Sequence, residues 1–324
     1  MKTVPKILVL GNRGMVGSAI VRELGVSSKS HIITVNRNAC DLTQQGEVEK
    51  VLKDKKPDEI YFCAGRVGGI YANKEYPAEF IYENLIMQCN VVHGAFNAGI
   101  KKLLLLGSSC IYPKHARQPI KENALLTGPL EKTNEPYAIA KIAGIIMCQS
   151  YNRQYGNSHF LDYRCVMPTN LYGPGDNYHE KNSHVLPSLI KKIHEAKLRN
   201  KKNVILWGTG EVYREFLHVD DLAKACIFVM SISKQKYMKF TSPEARHINV
   251  GSGFDLTIKD LASKIKKIVG YNGQIKFDSS FPDGTPRKLM DSSIIQKLGW
   301  SPSITLDEGI KKTFKQYLKE KKNE

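Results

Sequence analysis

The chain has 324 residues, 42% of them hydrophobic and 24% charged, and 48 Lys and Arg against 31 Asp and Glu give a net charge of +17. That apolar share excludes a disordered chain and suits one large domain or two intimate ones. No apolar run approaches the ~18 residues of a membrane helix, so no membrane partner is expected. The lysines are spread along the chain without an aromatic-interleaved basic block, which argues against nucleic acid as a partner.

The start, MKTVPKILVLGN, is too briefly apolar for a signal peptide and reads as a first strand. Further strands are expected at HIITV, EIYFCA and KLLLLG, each short, nearly continuously apolar and bounded by polar residues or Gly. Between them MVGSAIVRELG, QQGEVEKVLKDK and AEFIYENLIMQCNVVHGAFNAG read as helices, the last with Phe80, Leu85, Val92 and Phe96 on a buried flank. LDYRCVMP is a fifth strand. This alternation predicts an α/β fold, a Rossmann-like doubly wound parallel sheet. After about residue 174 the rhythm changes to a loop, a helix at HVLPSLIKKIHEAKL, a strand VILW, another loop, a helix from HVDDLAKA and a returning strand HINV. Residues 1–174, rejoined by 211–253, are expected to form the nucleotide-binding domain. Residues 175–210 and 254–324 are expected to form a smaller, mostly helical substrate domain, with the ligand site in the cleft between. Seven scattered cysteines (Cys40, Cys63, Cys89, Cys110, Cys148, Cys165, Cys226) include no CxxC pair, so thiols in a reducing cytoplasm are expected rather than a disulfide framework.

Gly11, Gly14 and Gly17 form GNRGMVG directly after the first strand. Such glycines permit a tight turn, approach of a pyrophosphate to the backbone, and close packing of helix on sheet. NAD binders place an acid near the end of the second strand; here Asn36 and Arg37 stand there instead. A guanidinium attracts the 2′-phosphate that a carboxylate would repel, and Arg13 supplies a second one, so NADP(H) is the expected cofactor. Asp41 lies farther along, within reach of an adenine.

Tyr137 and Lys141 in YAIAK are four apart and share a helix face, with Pro136 in the first turn. A nearby ammonium is expected to lower the phenol pKa and make it a proton donor and acceptor near neutrality. In GSSCIYP, the strand KLLLLG delivers Ser108, Ser109 and Cys110 at the sheet end where ligands of such folds bind. Strand, serine and YxxxK about thirty residues later form the short-chain dehydrogenase arrangement.

The stretches RVGGIYANKEYPAEFIYENL, GSSCIYPKHARQPIKE, NEPYAIAKIAGIIMCQSYNRQYG, VMPTNLYGPGDNYHEKNSHVLP, REFLHVDDLA and PDGTPRKLMD resemble the GDP-L-fucose synthases of the extended short-chain dehydrogenase/reductase family, over almost the whole chain. The resemblance implies a two-part reaction on GDP-4-keto-6-deoxy-D-mannose: inversion at carbons 3 and 5, then NADPH-dependent reduction at carbon 4. It implies Ser108, Tyr137 and Lys141 as the reducing set, Cys110 as the epimerising base and His184 as the acid. It implies cofactor contacts from Asn12, Met15 and Val16 within the glycine loop, from Leu42 beside Asp41, and from Leu106, Gly107 and Ser109 around Ser108. Pro168, Thr169, Asn170 and Leu171 after the fifth strand, together with Lys141 and His184, complete that set. Lys192, Trp207, Arg214 and Lys288 line the GDP-sugar site by the same likeness, with Asp283 nearby, and a homodimer is implied. His218 and Asp220 are read instead as organisers of a helix start. Lys192 stands where the family tends to have Arg, and NSHFLDYRC runs slightly longer than the bacterial pattern. Alternatives are an epimerase/reductase for another GDP-linked keto-deoxy sugar such as a heptose, a UDP-sugar 4-epimerase holding NAD, and a non-catalytic dinucleotide- or RNA-binding relative. Arg37 and Cys110 weigh against the second, and the intact Ser108, Tyr137 and Lys141 against the third.

Overall fold

The computed structural model describes residues 4–27, 29–179, 182–281 and 283–323. Its first half runs β1 (Lys6–Leu10), α1 (Met15–Ser27), β2 (His31–Val35), α2 (Gln45–Lys55), β3 (Glu59–Phe62), α3 (Ile70–Glu75), α4 (Pro77–Asn97), β4 (Lys102–Leu106), α5 (Glu135–Tyr155) and β5 (Asp162–Pro168). Then follow β6 (Asn170–Tyr172), α6 (Val185–Leu198), β7 (Asn203–Trp207), β8 (Tyr213–His218), α7 (Val219–Ser231), α8 (Lys234–Phe240) and β9 (His247–Val250). The remainder comprises β10 (Asp255–Thr257), α9 (Ile258–Val269), β11 (Gln274–Asp278), β12 (Arg287–Lys288), α10 (Ser293–Leu298) and α11 (Leu306–Asn323).

Six parallel strands in the order β2-β1-β3-β4-β5-β9 form the main sheet. After their first residues β1, β3 and β4 are wholly apolar because both faces are covered, and their period of two divides each run between two cores, whereas β5 buries the Asp162–Arg164 ion pair. Leu8, Leu10, Ile60, Phe62, Leu103 and Leu105 pack with residues of α4 and α5. Ile7, Val9, Tyr61, Leu104 and Leu106 pack on the opposite face with residues of α1 and α7. This is the Rossmann-like sheet that the alternating runs predict. On α4, Phe80 and Val92 are buried as expected, but Leu85 is only half-buried; Asn84, Gln88 and Asn90 take interior positions by bonding main-chain carbonyls of Phe80, Ala140 and Leu42.

The second half differs from the sequence reading. REFLH, expected within a loop, is the core of β8, which lies between β10 and β12 and also carries β6. The run places Arg214 and Glu215 side by side, and the Glu215 carboxylate is satisfied from far away in sequence, by Gly253 N at 2.7 Å and Met290 N at 2.9 Å. β7 and β11 pair in parallel, and a third core under α6, α9 and α11 supports them. The start of α9 is capped by the Thr257 hydroxyl, which accepts from Asp260 N at 3.0 Å, and Gly270 ends it in the left-handed region. As expected, His218 caps α7 by accepting from Asp220 N at 3.3 Å.

Candidate active site at the strand ends

The site lies at the C-terminal ends of β1, β4 and β5. Between β1 and α1, Gly11 has φ +88°, and a Cβ there would come within 2.6 Å of Ala64 N; at Gly17 it would come within 2.1 Å of Gly11 O. These two glycines let strand, turn and helix touch. At Gly14 a Cβ would meet only Gly11 O, at 3.4 Å, and otherwise open space. The chain itself does not demand glycine there, whereas a ligand over the loop would. No carboxylate stands in the first turn of α1, so its unpaired N–H groups face no competing anion. Asn12, Met15 and Val16 are half-buried around this turn, and Arg13 is exposed.

Arg37 follows β2 with its side chain 78% exposed and 4.0 Å from the Asp41 carboxylate. Asp41 is held in a local turn; hydrogen bonds from Thr43 N and Oγ1, at 3.0 and 2.9 Å, lower its pKa despite partial burial. Leu42 is buried beside it and its carbonyl accepts from Asn90 Nδ2 at 2.9 Å. The loop, two outward guanidiniums and the absence of an acid at the end of β2 fit a dinucleotide bearing a 2′-phosphate.

Leu106 and Gly107 close β4, and Gly107 N donates to Val166 O on β5 at 2.9 Å. Ser108 starts a short 3-10 turn, Ser109–Ile111, and accepts from Cys110 N at 3.4 Å. After β5, which Pro168 ends, Thr169 Oγ1 and Asn170 Nδ2 both donate to the Glu215 carbonyl, at 3.2 and 2.8 Å, and Leu171 pairs with Leu217. The segments expected to touch the cofactor thus border one another.

Tyr137 and Lys141 project from α5 towards this end. The Tyr137 ring meets Phe80 edge-on at 6.0 Å. Lys141 Nζ donates to the Leu106 carbonyl at 3.0 Å and lies 5.8 Å from the Tyr137 ring centroid. The expectation that Lys141 lowers the Tyr137 pKa is reversed here. Burial drives the phenol pKa up, with the Cys110 thiol adding to the rise and the Ser108 hydroxyl opposing it. Burial also lowers Lys141 to about 8, with the Cys110, Cys63 and Cys165 thiols opposing. Desolvation penalises both charged forms more than one ammonium at this distance can offset. Tyr137 is therefore a neutral phenol, poised as a donor.

Cys110 is buried, and burial raises its pKa; Lys288, the Ser108 hydroxyl and Lys141 pull it down. His184 is solvent-accessible within the cleft at the start of α6 and makes no capping bond. Desolvation by the cleft walls lowers its pKa, and the Lys288 charge lowers it further. The sequence reading missed what holds this histidine. Gly69 N donates to Asn182 O at 3.1 Å, and a Cβ on Gly69 would come within 2.7 Å of Ser183 O, so the glycine pair Gly68-Gly69 after β3 admits the His184 loop. A Gly-Gly pair just beyond a sheet strand was the available signal.

On the substrate side, Arg214 lies beside Lys288 in the β8–β12 register. Arg214 donates to the carbonyls of Tyr213 and Asp283 at 2.7 and 3.2 Å, and burial lowers its pKa to about 10. Both Asp283 carboxylate oxygens are taken by Thr209, from its N and Oγ1 at 2.8 Å each. Asp283 thus shapes the turn beside the site and steadies Arg214 through its carbonyl. Trp207 stacks on Phe281 at 4.5 Å with 8° between planes, and Lys192 Nζ stands 4.5 Å from the indole centroid. Phe281 was not anticipated.

Comparison with known proteins places this architecture. GDP-L-fucose synthase of Escherichia coli (strain K12) is 50% identical over 313 residues, 97% of this chain and 96% of that protein. Putative GDP-L-fucose synthase 2 of Arabidopsis thaliana is 53% identical over 97% of this chain and 92% of its own length. The solved structure of MlghC, GDP-mannoheptose C4 reductase from Campylobacter jejuni with NADP bound, is 39% identical and superposes with a TM-score of 0.87 over 98% of this chain and 99% of that one. Residues 7–251, which hold the glycine loop, the Ser108 turn and the Tyr137–Lys141 helix, match one family model, and the chain accordingly belongs to the NAD dependent epimerase/dehydratase family.

Proposed function

We propose that this chain is a bifunctional epimerase and reductase that converts GDP-4-keto-6-deoxy-D-mannose to GDP-L-fucose with NADPH. The observation that carries the reading is the convergence at the end of β4, where Cys110 N donates to Ser108 Oγ at 3.4 Å and Lys141 Nζ to the Leu106 carbonyl at 3.0 Å, with Tyr137 one helical turn before Lys141 on α5. Half identity to the two synthases over nearly their full lengths supports it. Residues 1–174 and 211–253 would hold the cofactor and residues 175–210 and 254–324 the GDP-sugar, with Arg214 serving the second site because its strand pairs with β10 and β12.

NADPH, when bound, supplies the hydride for carbon 4. Ser108 would bond the carbonyl oxygen and Tyr137 would give it a proton, while Lys141 would hold the nicotinamide ribose. The ketone acidifies the hydrogens on carbons 3 and 5, where Cys110 removes a proton and His184 returns one from the other face. Arg13 and Arg37 take the 2′-phosphate. Arg214, Lys192 and Lys288 hold the diphosphate and Trp207 the nucleoside, with Asp283 ordering the adjoining turn. The cleft is assigned to NADP(H), not NAD, on the two guanidiniums. The test is to supply purified protein with NADPH and GDP-4-keto-6-deoxymannose and to identify the product sugar; GDP-L-fucose is expected, and no NADPH oxidation would overturn the reading. The 39% identity to a GDP-mannoheptose C4 reductase keeps a GDP-linked heptose as the second substrate class, which the same assay separates by relative kcat/KM.

A homodimer in the cytoplasm completes the proposal. Tyr82 on α4 and Ile139 and Ile146 on α5 are 65%, 43% and 39% exposed on two helices that pack together, and all seven cysteines are unpaired thiols. Light scattering should give twice the mass of 36.4 kDa. Among the described residues no helix is long and apolar enough to cross a membrane.

A further inference from the structure

Between β3 and α3 the chain runs Gly65-Arg66-Val67-Gly68-Gly69. One side-chain amide on α4 clamps both main-chain groups of Arg66: Arg66 N donates to Asn84 Oδ1 at 3.1 Å, and Asn84 Nδ2 donates to Arg66 O at 3.0 Å. A residue whose N–H and C=O reach the same side is extended, and side chains alternate along such a run. The neighbours show that alternation. Arg66 turns towards α4, where its guanidinium pairs with Glu79 and, at 2.7 Å, with Glu83. A Cβ on Gly68 would meet Ala72 Cβ and Phe80 Cζ, at 2.9 and 3.2 Å.

Positions 65, 67 and 69 turn to the cleft instead. A Cβ on Gly65 would stand 2.9 Å from Asn84 Oδ1, 3.5 Å from Lys141 Nζ and 4.0 Å from Val67 Cγ1. A Cβ on Gly69 would stand 2.7 Å from Ser183 O, one residue before His184. With glycine at both ends, Val67 is the one side chain this strip sets between the Lys141 ammonium and the His184 loop. It is 60% exposed, an open hydrocarbon face at the reaction centre. We propose that Val67 is the specificity-determining side chain of the sugar site, covering the methyl group at carbon 6 and selecting a 6-deoxy sugar over one hydroxylated there. The inference rests on the reading of the substrate given above.

The sugar of that substrate carries hydroxyls, a carbonyl and a single hydrocarbon substituent, the methyl. Carbon 6 is two bonds from carbon 4, where hydride arrives, and one bond from carbon 5, where a proton is exchanged. Whatever covers it therefore stands among the groups assigned to those two steps, as Val67 does. Valine has no donor or acceptor to offer. A methyl group gains by leaving water for it, whereas a hydroxyl on carbon 6 would give up water without a hydrogen bond in return. A heptose, with a hydroxyl and a further carbon at that position, meets the same wall. Ile70, also apolar and 40% exposed, serves the other end of the cleft: a Cβ on Gly284 would stand 3.3 Å from its Cδ1 and 3.6 Å from Arg214 Nη2, on the side assigned to the diphosphate.

The experiment is calorimetric titration of the protein saturated with NADP⁺, comparing GDP-L-fucose with GDP-L-galactose, which differ only by the hydroxyl on carbon 6. The unmodified protein should bind GDP-L-fucose about tenfold or more tightly than GDP-L-galactose, the size of one small group in an apolar pocket. Val67→Thr has the same shape and supplies a hydroxyl, so the ratio should close to within about threefold while the affinity for GDP alone stays within about twofold. Val67→Ala, which removes hydrocarbon without adding a donor, should narrow the ratio by weakening GDP-L-fucose. Equal affinities in the unmodified protein, a ratio that Val67→Thr leaves unchanged, or a loss of GDP affinity as large as that of GDP-L-fucose would each overturn the inference. The substrate reading survives those outcomes as long as the protein turns GDP-4-keto-6-deoxymannose into GDP-L-fucose; if it does not, that reading falls and takes this inference with it.

Discussion

Arg37 at the cofactor end is 78% exposed and reaches its nearest carboxylate only at 4.0 Å, whereas Lys141 at the reaction centre is buried, bonded to the Leu106 carbonyl and lowered to about 8. Both are cations in one cleft, about a hundred residues apart in sequence. The first stands in water and presents the planar fork of donors that suits a phosphate. Burial lowers the pKa of the second to about 8, so its charge is held less firmly. Recognition is assigned to the wet end and proton transfer to the dry end.

The largest expected effect lies at the dry end. Tyr137→Phe keeps the ring against Phe80 and removes the donor to the carbonyl oxygen. Reduction should fall by about 10²–10⁴-fold, measured as single-turnover NADPH oxidation, while NADPH affinity stays within about twofold. A near-normal rate would remove Tyr137 from the mechanism. Next is Cys110→Ser, which replaces an ionisable thiol by an alcohol that hardly ionises. Deuterium exchange at carbons 3 and 5 should fall by about 10²-fold or more, with hydride transfer continuing to yield an unepimerised 6-deoxy sugar. Fully inverted product at the normal rate would make Cys110 a packing residue.

At the wet end the effect is smaller. Arg37→Ala should weaken NADPH binding by about tenfold or more, from one charge-assisted hydrogen bond of roughly 1.5–3 kcal/mol, and leave NADH almost unchanged. Because the guanidinium is exposed, the difference between variant and wild type should shrink as salt rises from 0.05 to about 1 M. Titration of cofactor fluorescence at several ionic strengths measures this; equal affinity for the two cofactors in the unmodified protein would sink the assignment.

The contrast also explains what could be read from sequence. The sheet was legible because β1, β3 and β4 are nearly continuous apolar runs bounded by turns, and Gly17 is required by a contact inside one strand–turn–helix unit. Ser108, Tyr137 and Lys141 were legible because their spacing is local to one turn and one helix. β8 was not, since it gains its strand partners from residues 170–172, 255–257 and 287–288 and its run carries a buried Glu. The direction of the Tyr137 pKa was misread for a related reason: i, i+4 spacing shows that two side chains are neighbours but not how thoroughly both are desolvated. Gly69 and Phe281 escaped notice because what constrains them, Ser183 and Trp207, lies more than seventy residues away.

The smallest predicted effect tests whether the dry end reaches into the molecule's stability. Glu122 lies behind the catalytic turn, and its Oε1 accepts from Asn249 N at 3.1 Å. Burial raises its pKa from 4.5 to about 7, with the Asp291 charge adding to the rise and backbone hydrogen bonds and Lys121 opposing it. A carboxyl whose folded pKa is raised stabilises the fold fully below its unfolded pKa and loses that contribution as pH climbs through the folded value. The window for Glu122 is therefore pH 4.5 to about 7. Above it the folded state must hold a buried anion. Glu122→Gln keeps an acceptor for Asn249 and never ionises, so it should lose less stability than the wild type between pH 5 and pH 8. The expected difference is of order 1–3 kcal/mol, or a few degrees in Tm, in the direction of a flatter profile. Arg37→Ala, at the exposed end, should leave the pH profile of Tm as it is. Melting both variants and the wild type across that range checks the contrast. Parallel profiles for Glu122→Gln and wild type would mean that Glu122 is already charged in the folded protein and that the dry end stops at the catalytic turn.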